Sequence, residues 1–241
     1  MIEPLDRIIR VAEVDLAIRA EPHAFAPERR AAILDGFARL QAQNPQLWNG
    51  PIYLFDRVRI EHEAGGRLVA EGAAADFATY LDWRVGDPLD RRFAHVFPVG
   101  AIVTADNRLL VGRMGAHTAN PGRLYPPSGS FDPQDLVDGR LDPLANALRE
   151  IDEEVGLDPT GWVSEPGFWI VPSGIHRYAV VKVYRAPDTA AALQARVEAF
   201  LPDGSDGELD GVVFVGVDER LDPTLSAAYV NPLLAELARS R

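Results

Sequence analysis

The segment between Asp142 and Gly156 constrains this chain more than any other, because both of its ends are marked and its faces are chemically opposed. Asp142 is a good N-cap, Pro143 suits a first helical position, where its missing amide costs nothing, and Gly156 is a natural stop, so a helix is predicted over 142–155. At about 100° per residue, Leu144, Leu148, Ile151 and Val155 form one apolar stripe, which requires a sheet to cover it. Glu150, Glu153 and Glu154 share a different face, and Asp152 projects elsewhere. Like charges three and four residues apart destabilise a helix by about 0.2–0.5 kcal/mol per pair, so such a face is expected to have a compensating partner. A hard divalent cation, magnesium, manganese or calcium, would serve, because it prefers clustered carboxylate oxygens. Arg149, four residues before Glu153, can orient that carboxylate by a charge-assisted hydrogen bond. The plainer alternative is a solvated acidic face.

Residues 149–157 read Arg-Glu-Ile-Asp-Glu-Glu-Val-Gly-Leu. This resembles the core of the Nudix box, Arg-Glu-U-x-Glu-Glu-x-Gly-U with U aliphatic, at all seven defined positions. Upstream, Gly129 resembles the glycine that opens the box, and after five residues Asp135 stands where the family has Glu. Thirteen residues, where the family has about seven, then precede Arg149, so the box loop is lengthened, and it must contain the tight turn Asp138-Gly139-Arg140.

The resemblance implies an α/β (α+β) protein with the Nudix fold, a mixed sheet sandwiched between helices, from about residue 96 to 217. It implies Mg2+- or Mn2+-dependent cleavage of a diphosphate bond in a small nucleoside diphosphate derivative. Glu150, Glu153 and Glu154 would be the metal ligands, with Glu153 as base, and Glu208, from the turn-rich loop 203–210, would add a base or a further ligand. A solvated loop acid is the competing reading of Glu208. Arg113 and Arg123 are candidates for phosphate binding, each of which also reads as a surface charge. Segments 48–53 and 77–82, with the lengthened loop, are similar to the branch that hydrolyses UDP-sugars, which would make the reaction UDP-glucose to UMP and glucose 1-phosphate. The alternatives are an ADP-ribose or dinucleotide diphosphatase, or a non-catalytic Nudix module that senses nucleotides. The three retained helix glutamates weigh against the last of these.

The rest of the sequence sets limits on these readings. With 47% hydrophobic and 25% charged residues in 241, the chain is globular in composition. No apolar run approaches about 18 residues and the N-terminus mixes acids with bases, so neither a membrane span nor a signal peptide is expected. The absence of cysteine excludes disulfides and thiolate zinc sites and fits a reducing cytoplasm. His23, His62, His95, His117 and His176 are scattered without metal-ligand spacing, which leaves oxygen ligands for any metal. A formal charge of −12 argues against a nucleic-acid polymer as partner. A small phosphorylated substrate stays open, because a metal and a few arginines can reverse the field inside a cleft.

Alternating β-branched residues predict a strand over 7–19, helical spacing predicts a helix over 27–43, and strands at 52–63 and 67–71 read as a hairpin through Gly65-Gly66. A short helix is predicted over 73–83. The turn-rich stretch 86–92 marks the boundary between a smaller N-terminal α/β domain, 1–92, and a Nudix-like domain, 93–241. In the second, strands are predicted at 96–104, 108–113, 167–171, 178–185 and 211–217, and further helices at 190–200 and 223–239. The separator is too short for a flexible linker, so the two parts should pack closely and the N-terminal part should help to form the substrate pocket. Trp48, Tyr53 and Tyr125 are candidates for stacking on a base. A dimerisation arm, and hence a homodimer, is the other reading of this part.

Overall fold

The computed structural model describes residues 2–86, 92–116, 118, 120–204 and 207–240. Most of the expected boundary (87–91), His117, and Ser205 and Asp206 of the acidic loop lie outside the described residues.

The chain opens with β1 (Ile9–Val11) and β2 (Glu13–Arg19). The single strand expected here is broken at Ala12, whose amide turns to the carbonyls of Gly65 and Gly66, and the two pieces enter different sheets. Helix α1 (Pro27–Gln43) follows with proline in its first turn. Strands β3 (Pro51–Glu61) and β4 (Arg67–Asp76) make the expected antiparallel hairpin. The three alanines that suggested a helix from residue 73 belong instead to β4, where pairing with β3 overrides their propensity. Helix α2 (Phe77–Val85) starts only after Asp76, whose carboxylate accepts from the Thr79 amide at 3.0 Å.

After β5 (His95–Val103), β6 (Arg108–Met114) and β7 (Leu124–Tyr125), a short hairpin forms from β8 (Leu136–Val137) and β9 (Arg140–Leu141). Its turn residues Asp138 and Gly139 both have positive φ, 50° and 76°, the conformation a two-residue hairpin turn requires. Next come α3 (Pro143–Val155), β10 (Val163–Ser164), β11 (Phe168–Pro172), β12 (Arg177–Arg185), α4 (Ala190–Gly204), β13 (Leu209–Gly216) and α5 (Val230–Arg239). Helix α5 begins later than its apolar spacing suggested, because the Asp222 carbonyl takes the amides of Leu225 and Ser226 in a turn of its own.

Two mixed sheets result. The larger has the path β1-β11-β12-β5-β6-β13, with β7 beside β6 and β10 beside β12, and its β5 and β12 run parallel. The smaller has the order β3-β4-β2-β9-β8. One face of the larger sheet packs on Val230, Leu233, Leu234 and Leu237 of α5. The opposite face packs on α3 and α4 through Ile151, Val155, Leu193 and Val197. The expected sandwich of a mixed sheet between helices is therefore present. A third cluster unites the two sheets, setting Phe55, Val58 and Leu68 against Val96, Ile170 and Val180.

The sheets also exchange strands. β1 adds to β11 of the larger sheet, and the β8–β9 hairpin from the lengthened box loop pairs through β9 with β2 of the smaller one. Arg140 on β9 forms an ion pair with Asp15 on β2. Among the described residues no helix is long and apolar enough to cross a membrane.

Candidate active site

Helix α3 has the bounds read from the sequence. The Asp142 carboxylate accepts from the amides of Leu144 and Ala145 at 2.9 and 3.0 Å, and Gly156 closes the helix in the left-handed conformation with φ 61°. The apolar stripe differs at one position: Leu144 is exposed, and Ala147 takes its place against the sheet because Gly100 on β5 lets the helix approach. A Cβ at Gly100 would fall 2.4 Å from the Ile151 side chain. This close docking carries the acidic face inward as well. Glu150 is only 9% exposed and Glu154 only 1%, so two of the three glutamates are withdrawn from solvent while Glu153 stays half-exposed.

Arg149 is the hub of this face. Its guanidinium reaches Glu153 at 2.8 Å, Glu150 at 3.0 Å, Asp135 at 3.3 Å and Asp132 at 3.7 Å. Asp135 is itself buried, accepting from the Asn146 side chain at 2.8 Å and the Asp132 amide at 2.9 Å. Asp135 thus ties the loop that precedes α3 to the helix, a part that its type and spacing alone did not assign.

The three helix glutamates do not converge on one point. Arg149 draws Glu153 along the helix, while Glu150 and Glu154 face the loop at Ser128 and Gly129. Among the described residues no three carboxylate or imidazole groups are grouped closely enough to hold a metal ion as they stand. The donor set nevertheless suits a hard cation. Burial, followed by the charges of Glu153, Glu208 and Asp135 working against Arg149, pushes the Glu150 carboxyl up to about 8. Negative charge is thus in excess of local compensation, the condition a divalent cation relieves. Gly129 lies directly against this carboxylate, since a Cβ there would meet Glu150 Oε1 at 2.2 Å.

Glu208 is exposed at the entry to β13, and its carbonyl accepts from the Gly115 amide at 2.7 Å. Its charge is felt at Glu150 and at the Tyr125 hydroxyl, which burial and Glu154 also push up. The fold thereby brings the charge of Glu208 to bear on the region of Glu150 and Glu154, although it lies more than fifty residues further along the chain.

Beside Gly129 opens a cavity of about 490 Å³. Phe77, Tyr80 and Arg84 of α2 form one wall, and Phe97, Arg177 and Tyr229 contribute to the other. Tyr125 and Arg123 also line it, although the Arg123 guanidinium is committed to the carbonyls of Thr224 and Ser226. Arg113 lies elsewhere, exposed on β6 against Gly211. Trp48 is exposed and folds over Gly50, and Tyr53 is buried in the core between the sheets, so neither lines this cavity. The N-terminal contribution comes from α2 instead.

His95, at the start of β5, belongs to the cavity wall and is 4% exposed. Its ring stands between Tyr80, at 4.6 Å, and Phe97, at 5.2 Å. Burial, with the charges of Arg177 and Arg84, holds the imidazole well below its usual range, so it is neutral. Sequence reading missed His95 because it heads an apolar strand with no other histidine at ligand spacing. Arg177 was hidden in the same way at the start of β12.

No sequence-family description and no curated protein matches this chain. Among solved structures it is similar to a MutT protein from Methanosarcina mazei Go1, at 15% identity and TM-score 0.40, over 61% of this chain and 94% of that one. It is similar to a NUDIX hydrolase from Nitrosomonas europaea at 14% identity and TM-score 0.38, over 61% and 89%. A third likeness is to the NUDIX domain of Shewanella oneidensis NrtR, solved as a complex with ADP ribose, at 14% identity and TM-score 0.38, over 67% and 97%.

Proposed function

We propose that this protein is a Nudix-type hydrolase that uses magnesium or manganese to cut the diphosphate bond of a small nucleoside diphosphate derivative. The observation that carries this reading is the seating of Gly129 against the Glu150 carboxylate, which sets the box glycine and the box helix face to face at the mouth of a cavity. Glu150, Glu153 and Glu154 would hold the metal, with Glu208 as a further ligand or base. When bound, the cation would acidify a water and neutralise charge on the phosphoryl oxygens. Arg149 orients Glu150 and Glu153, and Gly129 keeps space open in front of them. Glu153, the least buried of the three glutamates, receives the proton as water attacks phosphorus and the bridging oxygen leaves with the other phosphate.

For the substrate we infer a UDP-sugar, with UDP-glucose giving UMP and glucose 1-phosphate; ADP-ribose is the second reading. Assay of both nucleotides with magnesium, with excess EDTA, and with Glu154→Gln separates them. Turnover of UDP-glucose that disappears in EDTA and falls by about 100-fold or more in the variant is expected. Full turnover in EDTA removes the metal mechanism, and cleavage of ADP-ribose with UDP-glucose untouched moves the substrate to the second reading.

A further inference from the structure

The cavity between α2 and the larger sheet has a chemistry separate from that of the acidic helix. In a chain of formal charge −12, the residues that line it include three arginines, Arg84, Arg123 and Arg177, and no carboxylate. Elsewhere arginines are mostly matched with acids, as Arg19 is with Asp56, Arg30 with Asp76 and Arg185 with Glu165. Among the described residues neither Arg84 nor Arg177 has an ion-pair partner within 4.0 Å, and the Arg177 Nε is buried without a hydrogen-bond partner. Both ring nitrogens of His95 are likewise buried and unpartnered among the described residues. A buried polar group left in this state costs about 1–3 kcal/mol, so it marks a place completed by a ligand more readily than a feature of the resting fold.

The three groups are also held in place. An aromatic chain runs Phe77, Tyr80, His95, Phe97, Tyr229, each ring centroid 4.6–5.8 Å from the next. The Arg84 guanidinium lies over Tyr80 at 6.0 Å and that of Arg177 over Phe97 at 5.7 Å, one on each side of His95. These rings pack against one another, and the two guanidinium groups lie over two of them. What remains in this part of the cavity is a set of donors: two planar guanidinium edges, the imidazole and the Ser173 hydroxyl. A planar guanidinium edge is suited to two-point binding of an oxyanion; Arg84 meanwhile donates from Nη2 to Asn120 Oδ1 at 3.4 Å, a long hydrogen bond.

We propose that Arg84 and Arg177, with His95 between them, form an oxyanion subsite that holds a phosphoryl group of the substrate away from the acidic helix. This rests on the hydrolase reading and deepens it. The substrate must offer at least two phosphoryl groups, one to the arginines and one to the box glutamates, and the arginine subsite makes recognition of the first independent of the metal.

The test uses the full chain in excess chelator, where no hydrolysis occurs and the carboxylate face repels anions. Inorganic phosphate is titrated in while the imidazole 15N and 1H resonances of His95 are followed by NMR. A saturable shift of His95 is expected. Arg84→Gln, at an exposed helix position that leaves the core intact, and Arg177→Lys, which keeps the charge but loses the planar pair of donors, should each weaken phosphate binding by about tenfold or more. Glu153→Gln should leave it unchanged. A His95 signal unmoved by phosphate, or affinity unaltered in both arginine variants, overturns the subsite. Phosphate binding here in a protein that hydrolyses no diphosphate supports the subsite and removes the hydrolase reading. Hydrolysis with KM unaffected by Arg84→Gln does the reverse.

Discussion

Gly129→Ala isolates the contact on which the active-site reading turns. The added Cβ would lie 2.2, 2.3 and 2.6 Å from Oε1, Cδ and Oε2 of Glu150. Gly129 does not have a positive φ, so alanine strains nothing in its own backbone and the whole effect comes from this contact. To reach ordinary contact the carboxylate must retreat by about 1 Å, which breaks its 3.0 Å pairing with Arg149. Overpacking of this kind costs about 1–3 kcal/mol, at the lower end here because the obstructing atoms end a side chain. Catalysis should suffer more than stability. A misplacement of about 1 Å lowers turnover by roughly 100-fold, which is the expected loss in kcat. A double-mutant cycle checks the cause: in a Glu150→Ala background the obstructing carboxylate is gone, so adding Gly129→Ala should change urea stability by less than about 0.5 kcal/mol. An unchanged kcat in Gly129→Ala, or the same stability loss in both backgrounds, would refute the contact as the reason for the glycine.

Two further perturbations address the charges. A carboxyl whose folded value rises from 4.5 to about 8, as for Glu150, keeps its proton in the fold after the unfolded chain has lost it. Stability of the metal-free protein should therefore fall relative to Glu150→Gln as pH rises from about 4.5 to 8, by up to about 1.4 kcal/mol per pH unit, and denaturant unfolding in EDTA that gives parallel pH profiles for the two proteins would contradict this. Asp135→Asn takes the charge from the buried carboxylate that faces Arg149, leaving a single acceptor oxygen for Asn146 and the Asp132 amide, and should lower stability by about 1–3 kcal/mol. Coincident urea transitions for Asp135→Asn and the parent protein would show that this anchor carries no load.

The readable parts of this protein were those whose causes are local. Helix α3 is marked by its own cap, proline and terminal glycine, and the hairpin β3–β4 by its paired glycines and its β-branched residues, and both formed where expected. Expectation failed where distant partners decide. The alanines at 73–75 are helix formers held in a strand by β3, and Leu144 lost its place in the apolar stripe because Gly100 draws the helix closer at Ala147. At the candidate site, residue type and spacing singled out Arg149 and the three glutamates. They did not indicate that Glu150 and Glu154 would be buried, that Arg149 would bridge Glu150 and Glu153, or that the charge of Glu208, just before β13, would be felt at Glu150. His95 and Arg177 were out of reach, because they become neighbours only through the parallel pairing of β5 with β12, where Arg177 stands opposite His95.

The loop that precedes α3 shows what such distant pairing does for the candidate site. Its extra residues form a hairpin whose strands are two residues each, too short for any periodicity to report, and β9 gains its stability by adding to the edge of β2. One residue beyond β9 stands Asp142, which caps the box helix and whose amide donates to the Asp135 carbonyl at 3.1 Å. The start of α3 is thus tied through the hairpin to Leu16 and Ala17, and the Arg140–Asp15 ion pair fastens the same junction. Helix α2, from the smaller sheet's side, supplies Tyr80 and Arg84 to the cavity at the other end of the active region. The N-terminal elements therefore meet the candidate site twice, β2 at the origin of the acidic helix and α2 at the cavity wall. Such a link serves the proposed reaction, in which the groups proposed to hold the substrate and those proposed to act on it must keep a fixed separation.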